Sequence, residues 1–199
     1  MEIAVGIGSY YALNNKLKKI ETNTKIRNNY LSTLHVVITL CAALFSHYSG
    51  KHVDIIFRGN TYGFFINEMV FFFNSKFSIS VVTLSTHHLI MMGLMYNCSK
   101  ESLIMTCLLP LGELTNLPGN IIYHTLQLKN KYPNKSLYYF QFILYSFGRI
   151  FLPPYFIFQE FTSEESVHDF FKVTMMLIYI MGIIWSHKLY KKCQILYYE

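Results

Sequence analysis

The chain has 199 residues, of which 52% are hydrophobic, 17% aromatic and only 14% charged, and its mean hydropathy is +0.28. Soluble domains usually carry about 25% charged residues, so this composition argues against an ordinary water-soluble domain and for apolar segments of membrane-spanning length. The net charge of +6 reads as loop charge at a membrane surface, because the basic residues fall between apolar runs and no zinc-finger, RNA-binding or phosphate-loop motif accompanies them.

Residues 1–13, "MEIAVGIGSYYAL", lack the basic start of a signal peptide and are too short to span a bilayer. They read as an interfacial segment or a shortened first helix. The first clear span is "YLSTLHVVITLCAALFSHYS" (30–49), 20 residues without Lys, Arg, Asp or Glu. A second run covers 61–75 and carries Glu68. A polar break at Asn74–Lys76 precedes a third, which ends near Cys98 and contains "LSTHHLIMMGL" (84–94) with His87 and His88. The fourth covers about 102–126, interrupted by Pro110 and Pro118. The fifth covers 137–158 and holds Arg149 and Pro153–Pro154, and the sixth runs over 169–187. The four cysteines (Cys41, Cys98, Cys107, Cys193) form no CxxC pair; Cys98 and Cys107 could meet across one loop, but free thiols are expected.

The expected architecture is therefore all-α: a polytopic bundle of six transmembrane helices, or seven if residues 1–13 form one, around an internal cavity. Residues 1–25 are a basic flank, 26–190 the transmembrane domain and 191–199 a tail. Lys16, Lys18, Lys19, Lys25, Arg27, Lys76, Lys129, Lys131, Lys135, Lys188, Lys191 and Lys192 share one face of that scheme. Lys51, Arg58, Lys100 and Lys172 share the other, as does the acidic loop with Glu160, Glu164 and Glu165. The positive-inside rule then puts both termini in the cytoplasm.

Three charged side chains fall inside predicted spans: Glu68, Glu113 and Arg149. A charge at the bilayer centre costs about 2.5–3.5 kcal/mol on insertion scales, so each should face inward and find a partner. An Arg149–carboxylate pair locking helices together is one reading, and a functional polar cavity is the other. On a continuous helix, Thr106, Glu113, Asn116, Asn120, His124 and Gln127 lie within an arc of about 80°, the pattern of a cavity lining. Ser32, His35, Thr39, Ala42, Ala43 and Ser46 fall within about 100° on the first span and read as a packing seam, with His35 the exception.

His87 and His88 point about 100° apart, which is not the i,i+4 geometry of a helical metal site. No metal is expected, since His35, His124 and Glu113 would have to be brought together by the bundle. A neutral imidazole can instead act as general base or nucleophile in acyl transfer, with Glu68 or Glu113 orienting it.

Several of these segments together resemble the TLC-domain family, the membrane family that contains the ceramide synthases. "RNNYLSTLHVVI" resembles the family's first-span pattern through Ser32 and His35, and "GFFINE" is similar to "GYF..D" with Glu68 in place of aspartate. "THHLI" carries the double histidine 19 residues beyond Glu68. "GELTNLPGN" is similar to "E.S.P..N" through Glu113, Thr115 and Asn120, "FGRIFLPPY" to the "F..R" of the fifth span through Arg149, and Trp185 with Lys188 to the closing "W...K". The run after the doublet, "MMGLMYNCSKESL", lacks the paired "HD" and further acids of the ceramide synthases, and Met91 stands where a threonine is usual. The likeness is therefore closer to the non-synthase branch.

The resemblance implies a lipid-facing cavity into which the histidine pair projects, and an endoplasmic-reticulum location. The expected role is binding or handling a membrane lipid, whether sphingolipid, phospholipid or fatty acyl chain, in lipid homeostasis. His87, His88 and Glu68 are the candidate catalytic residues; His35, Glu113, Asn116, Asn120, His124 and Arg149 are candidate cavity residues. An acyltransferase using the His87/His88 pair, with acyl-CoA as co-substrate and no other cofactor, remains the alternative. A proton path through Glu113, His124 and Arg149 lacks the inverted repeats of transporters. No nucleic-acid partner is expected, and a homodimer is compatible with the sequence.

Overall fold

The charge-free run at 30–49 lies inside one helix, α2 (Thr24–Ser49), and the apolar run at 169–187 inside another, α9 (Asp169–Tyr198). In a computed structural model the chain is all-helical. The structure describes residues 2–49, 54–74, 78–97, 107–129, 134–162 and 169–198, and no strand occurs among them. Contacts divide the chain into two compact units, Met1–Lys100 and Glu101–Glu199. Thr106, Cys98, Glu164, Glu165 and the loop lysines 51, 76, 100 and 131 lie outside the described residues.

The N-terminal unit holds α1 (Glu2–Leu17), α2, α3 (Asp54–Phe73) and α4 (Ile79–Asn97). Residues 1–13 thus belong to a helix that continues to Leu17 and packs on α3. Glycine makes that crossing close: a Cβ on Gly6 would sit 1.9 Å from the Gly59 carbonyl oxygen, and one on Gly63 2.5 Å from the Gly6 carbonyl. Gly59 and Gly63 form the small-xxx-small spacing that lets helix backbones touch. Asn23 caps α2 by accepting from the Lys25 and Ile26 amides, and Arg27 ties the preceding turn by donating to the Glu21 and Thr22 carbonyls. Tyr62 donates to the Met92 carbonyl at 2.7 Å and Arg58 to that of Met95, which fixes α3 against α4.

The C-terminal unit divides the expected fourth and fifth spans. The fourth becomes α5 (Leu109–Leu114) and α6 (Leu117–Lys129), parted at Thr115–Asn116 just before Pro118, whose missing N–H breaks the ladder. The fifth becomes α7 (Lys135–Ser146), a π-helical segment Phe147–Phe151 and α8 (Pro153–Thr162). The wide turn, closed by the Leu152 amide on the Phe147 carbonyl at 3.1 Å, accommodates the chain ahead of Pro153. The sixth run extends as α9 through Tyr198, so residues 191–198 are helix and not an irregular tail.

Two helices, α2 and the Lys172–Tyr197 part of α9, are long and apolar enough to cross a membrane. Both are turned inside out relative to a helix of a water-soluble protein. Along α9 the buried positions include Thr174, Gly182 and Ser186, while Val173, Leu177, Ile180 and Ile184 are exposed. Along α2, His35 and Thr39 are fully buried while Leu34, Val37, Leu44 and Phe45 are exposed. Of the remaining expected spans, the third has only a short apolar stretch, Val81–Tyr96, and the second carries Arg58 and Glu68 inside α3.

Candidate functional site

On α2, Asn28, His35 and Thr39 fall within about 40° of one another at 100° per residue, so they share one face. On α3, Asn60, Phe64, Glu68 and Phe72 recur every fourth residue and form a neighbouring stripe. These two faces meet, and α4 adds His88.

At one end of the contact, His88 Nε2 donates to Glu68 Oε2 at 3.1 Å, and Asn28 Nδ2 donates to Glu68 Oε1 at 3.0 Å. Both carboxylate oxygens thus face donors, one from each adjoining helix. The pair is largely withdrawn from solvent, with side-chain exposures of 6% for His88 and 15% for Glu68. Phe65 stacks on the His88 imidazole at 4.4 Å with planes 10° apart, and Phe72 is nearly parallel to it at 5.9 Å. The imidazole is held in plane by aromatic rings and oriented by a carboxylate. His87 is also buried, its ring 5.7 Å from that of His88.

At the other end, Asn60 lies among four partners. Its Nδ2 reaches the His35 carbonyl at 3.2 Å, Thr39 Oγ1 at 3.0 Å and His35 Nδ1 at 3.0 Å, and its Oδ1 accepts from Tyr10 at 2.6 Å. A carbonyl can only accept, so the Asn60 nitrogen must face His35. The network therefore assigns an unprotonated Nδ1 and places the His35 proton on Nε2. Phe64 stacks on this ring at 4.4 Å and 10°, the same geometry that Phe65 gives His88. Adjacent phenylalanines on α3 thus carry two imidazoles of different chemistry. His35 is fixed as one neutral tautomer, and His88 is paired with an acid.

In the C-terminal unit, Arg149 sits in the π segment. Its Nη2 donates to the Gly112 carbonyl at 2.8 Å and its Nε to Thr115 Oγ1 at 3.2 Å, with the guanidinium 5.5 Å from the Tyr145 ring. Among the described residues it makes no ion pair with a carboxylate, so the expected carboxylate lock is replaced by a clamp on main chain. Glycine lets the clamp close: a Cβ on Gly148 would meet Thr115 Cγ2 at 2.6 Å, and one on Gly182 the Arg149 carbonyl at 3.1 Å. Asn116 Nδ2 donates to Glu113 Oε2 at 3.1 Å across the break. Asn120 and His124 follow on α6, half-buried, so the expected polar stripe is split between two helices.

Of the expected site residues, the structure brings Glu68, His87, His88 and His35 together in one unit. Glu113, Asn116 and Arg149 cluster in the other around the α5–α6 break. Asn28, Asn60 and Tyr10 were not anticipated; the fourth-residue spacing of Asn60, Phe64, Glu68 and Phe72 is the signal that pointed to Asn60. Comparison with protein-family models, with curated proteins and with solved structures gives no match.

Proposed function

We propose that this chain is a multi-pass membrane protein of the TLC type that handles a membrane lipid through the centre built on Glu68 and His88. The observation that carries the reading is the buried His88–Glu68 pair walled by Phe65 and Phe72, in a chain whose helices turn apolar side chains outward. An ionisable pair inside a bilayer is expensive and is a functional site by default. The three segments that resemble the family around His35, Glu68 and His88 lie on α2, α3 and α4, whose polar faces converge on this centre. In this reading six spans cross the endoplasmic-reticulum membrane with both termini cytoplasmic, and the ligand is a sphingolipid or phospholipid with its acyl chains.

The test is mass spectrometry of lipid extracted with the protein in polymer-bounded bilayer discs. Wild type should enrich one lipid class over the host membrane, and the His87→Ala/His88→Ala variant should not. A wild-type profile identical to the bulk membrane overturns the reading. Topology is tested at the sequons: glycan at Asn134, predicted cytoplasmic, overturns the orientation.

The His88–Glu68 geometry also favours a second reading, an acyltransferase. A carboxylate that orients an imidazole is the arrangement of a general base and its positioning partner. His88 would take the proton of an attacking amine while the thiolate of acyl-CoA leaves. Ceramide or phospholipid acyl profiles that shift in cells expressing wild type, and not the double variant, would replace the first reading by this one.

A further inference from the structure

Beside the α1–α3 crossing, a groove of about 380 Å³ opens between α1, α2 and α3, apart from the Glu68–His88 pair. Its walls are branched aliphatics, among them Val5 on α1, Leu34 and Ile38 on α2 and Ile56 on α3. Val5, Leu34 and Ile56 are exposed at 62%, 37% and 54%. Three neutral polar residues interrupt this lining, Ser9, Tyr10 and Asn60, and no Asp, Glu, Lys, Arg or His contributes to it.

Ser9 is the informative one. Elsewhere in these helices hydroxyls are satisfied locally: Thr33, Ser49, Thr61, Thr83, Thr125 and Thr162 each donate to the carbonyl four residues back. Ser9 makes no hydrogen bond in the structure, although it lines the groove. In an apolar medium an unsatisfied hydroxyl is costly and seeks a partner. Nearby, Tyr10 and Asn60 are engaged with each other at 2.6 Å, which leaves Ser9 as the hydroxyl with its capacity unused.

We propose that this groove binds one alkyl chain of a membrane lipid whose head is uncharged and bears a hydroxyl, with that hydroxyl bonded to Ser9. The absence of ionisable groups excludes a free carboxylate or phosphate head, which would be left without a counter-charge. Pockets of this size hold one small ligand, and the three-helix walls of branched aliphatics suit one flexible chain. Leu34 and Ile38 belong to a helix whose neighbouring outward residues, Val37, Leu44 and Phe45, are apolar, so the occupant enters from the surrounding lipid. The proposal rests on the membrane placement in the preceding section and not on the His88–Glu68 chemistry.

The experiment uses the full chain in native membranes with three photoreactive probes of equal reactivity: a long-chain alcohol, the matching fatty acid, and the matching alkane. Labelled peptides are mapped by mass spectrometry. The alcohol should label peptides spanning residues 2–17 and 30–38 more strongly than the alkane, by roughly 2- to 10-fold, the ratio that one neutral hydrogen bond confers. Ser9→Val should abolish this preference while leaving alkane labelling intact, and Leu34→Trp should reduce all labelling there by filling the groove. Equal labelling by the three probes means non-selective boundary lipid and overturns the site alone. Preferential labelling by the fatty acid, or by a photoreactive sterol added as a fourth arm, overturns the assigned chemistry. Absence of labelling anywhere on a chain that alkaline carbonate extracts from the membrane overturns the site together with the membrane placement.

Discussion

Glu68 and Arg149 are both ionisable side chains set into apolar helices, yet their surroundings differ. Glu68 meets two side chains from two other helices, an amide and an imidazole that can itself gain or lose a proton. Arg149 meets a main-chain carbonyl and a threonine hydroxyl, neither of which titrates. The first arrangement can change state without the backbone moving. The second cannot, because the guanidinium holds the Gly112 carbonyl where α5 gives way to α6. Polar residues inside a hydrophobic chain therefore fall into two kinds here: a centre poised for chemistry or ligand exchange, and a clamp that holds a broken helix in place.

The largest expected effect lies in the clamp. Arg149→Met removes two charge-assisted hydrogen bonds and should lower stability by about 3 kcal/mol, or roughly 6–12 °C in midpoint for a chain of this size. Thermal unfolding in detergent, followed by fluorescence of Trp185 on α9, the chain's single tryptophan, reads this directly. Arg149→Lys should restore less than half, since one ammonium cannot match the fork that reaches both acceptors. The fraction of Arg149→Met that stays folded should still enrich lipid as wild type does. Loss of enrichment per folded molecule would make Arg149 part of the ligand site and break the comparison.

Glu68→Gln should do the reverse. It keeps the shape and an acceptor for His88, so the stability loss is smaller, about 1–2 kcal/mol. Lipid enrichment should nevertheless be lost, because a carboxamide cannot hold the paired imidazole as a carboxylate does. A Glu68→Gln protein that enriches lipid normally would reduce the pair to packing.

Sequence patterning made part of this legible. The spans at 30–49 and 169–187 are charge-free or nearly so, and hydrophobic length alone locates α2 and α9. Glu68 and the histidine doublet stood out because ionisable groups are rare in such runs. The α5–α6 break was only half visible: a phase calculation over Glu113, Asn116, Asn120 and His124 assumes a continuous helix, and Pro118 interrupts it. The environment of Arg149 was invisible, because its chief acceptor is a peptide carbonyl that any residue at position 112 would supply. The α1–α3 crossing was readable in principle from Gly59 and Gly63, but the shortness of residues 1–13 as a span drew attention away from their capacity to pack.

Tyr10→Phe gives the smallest and most diagnostic effect. Its hydroxyl is one of the restraints on the Asn60 amide, and one neutral hydrogen bond is worth about 1 kcal/mol. The amide is still held by the His35 carbonyl and Thr39, and a flip would set its oxygen against that carbonyl. The His35 proton should therefore remain on Nε2, seen as an unprotonated Nδ1 in the nitrogen-15 spectrum of histidine-labelled protein. Two tautomers of His35 in that spectrum would mean that Tyr10, and not the backbone, fixes the network. The difference between His35 and His88 would then depend on α1 being docked against α3.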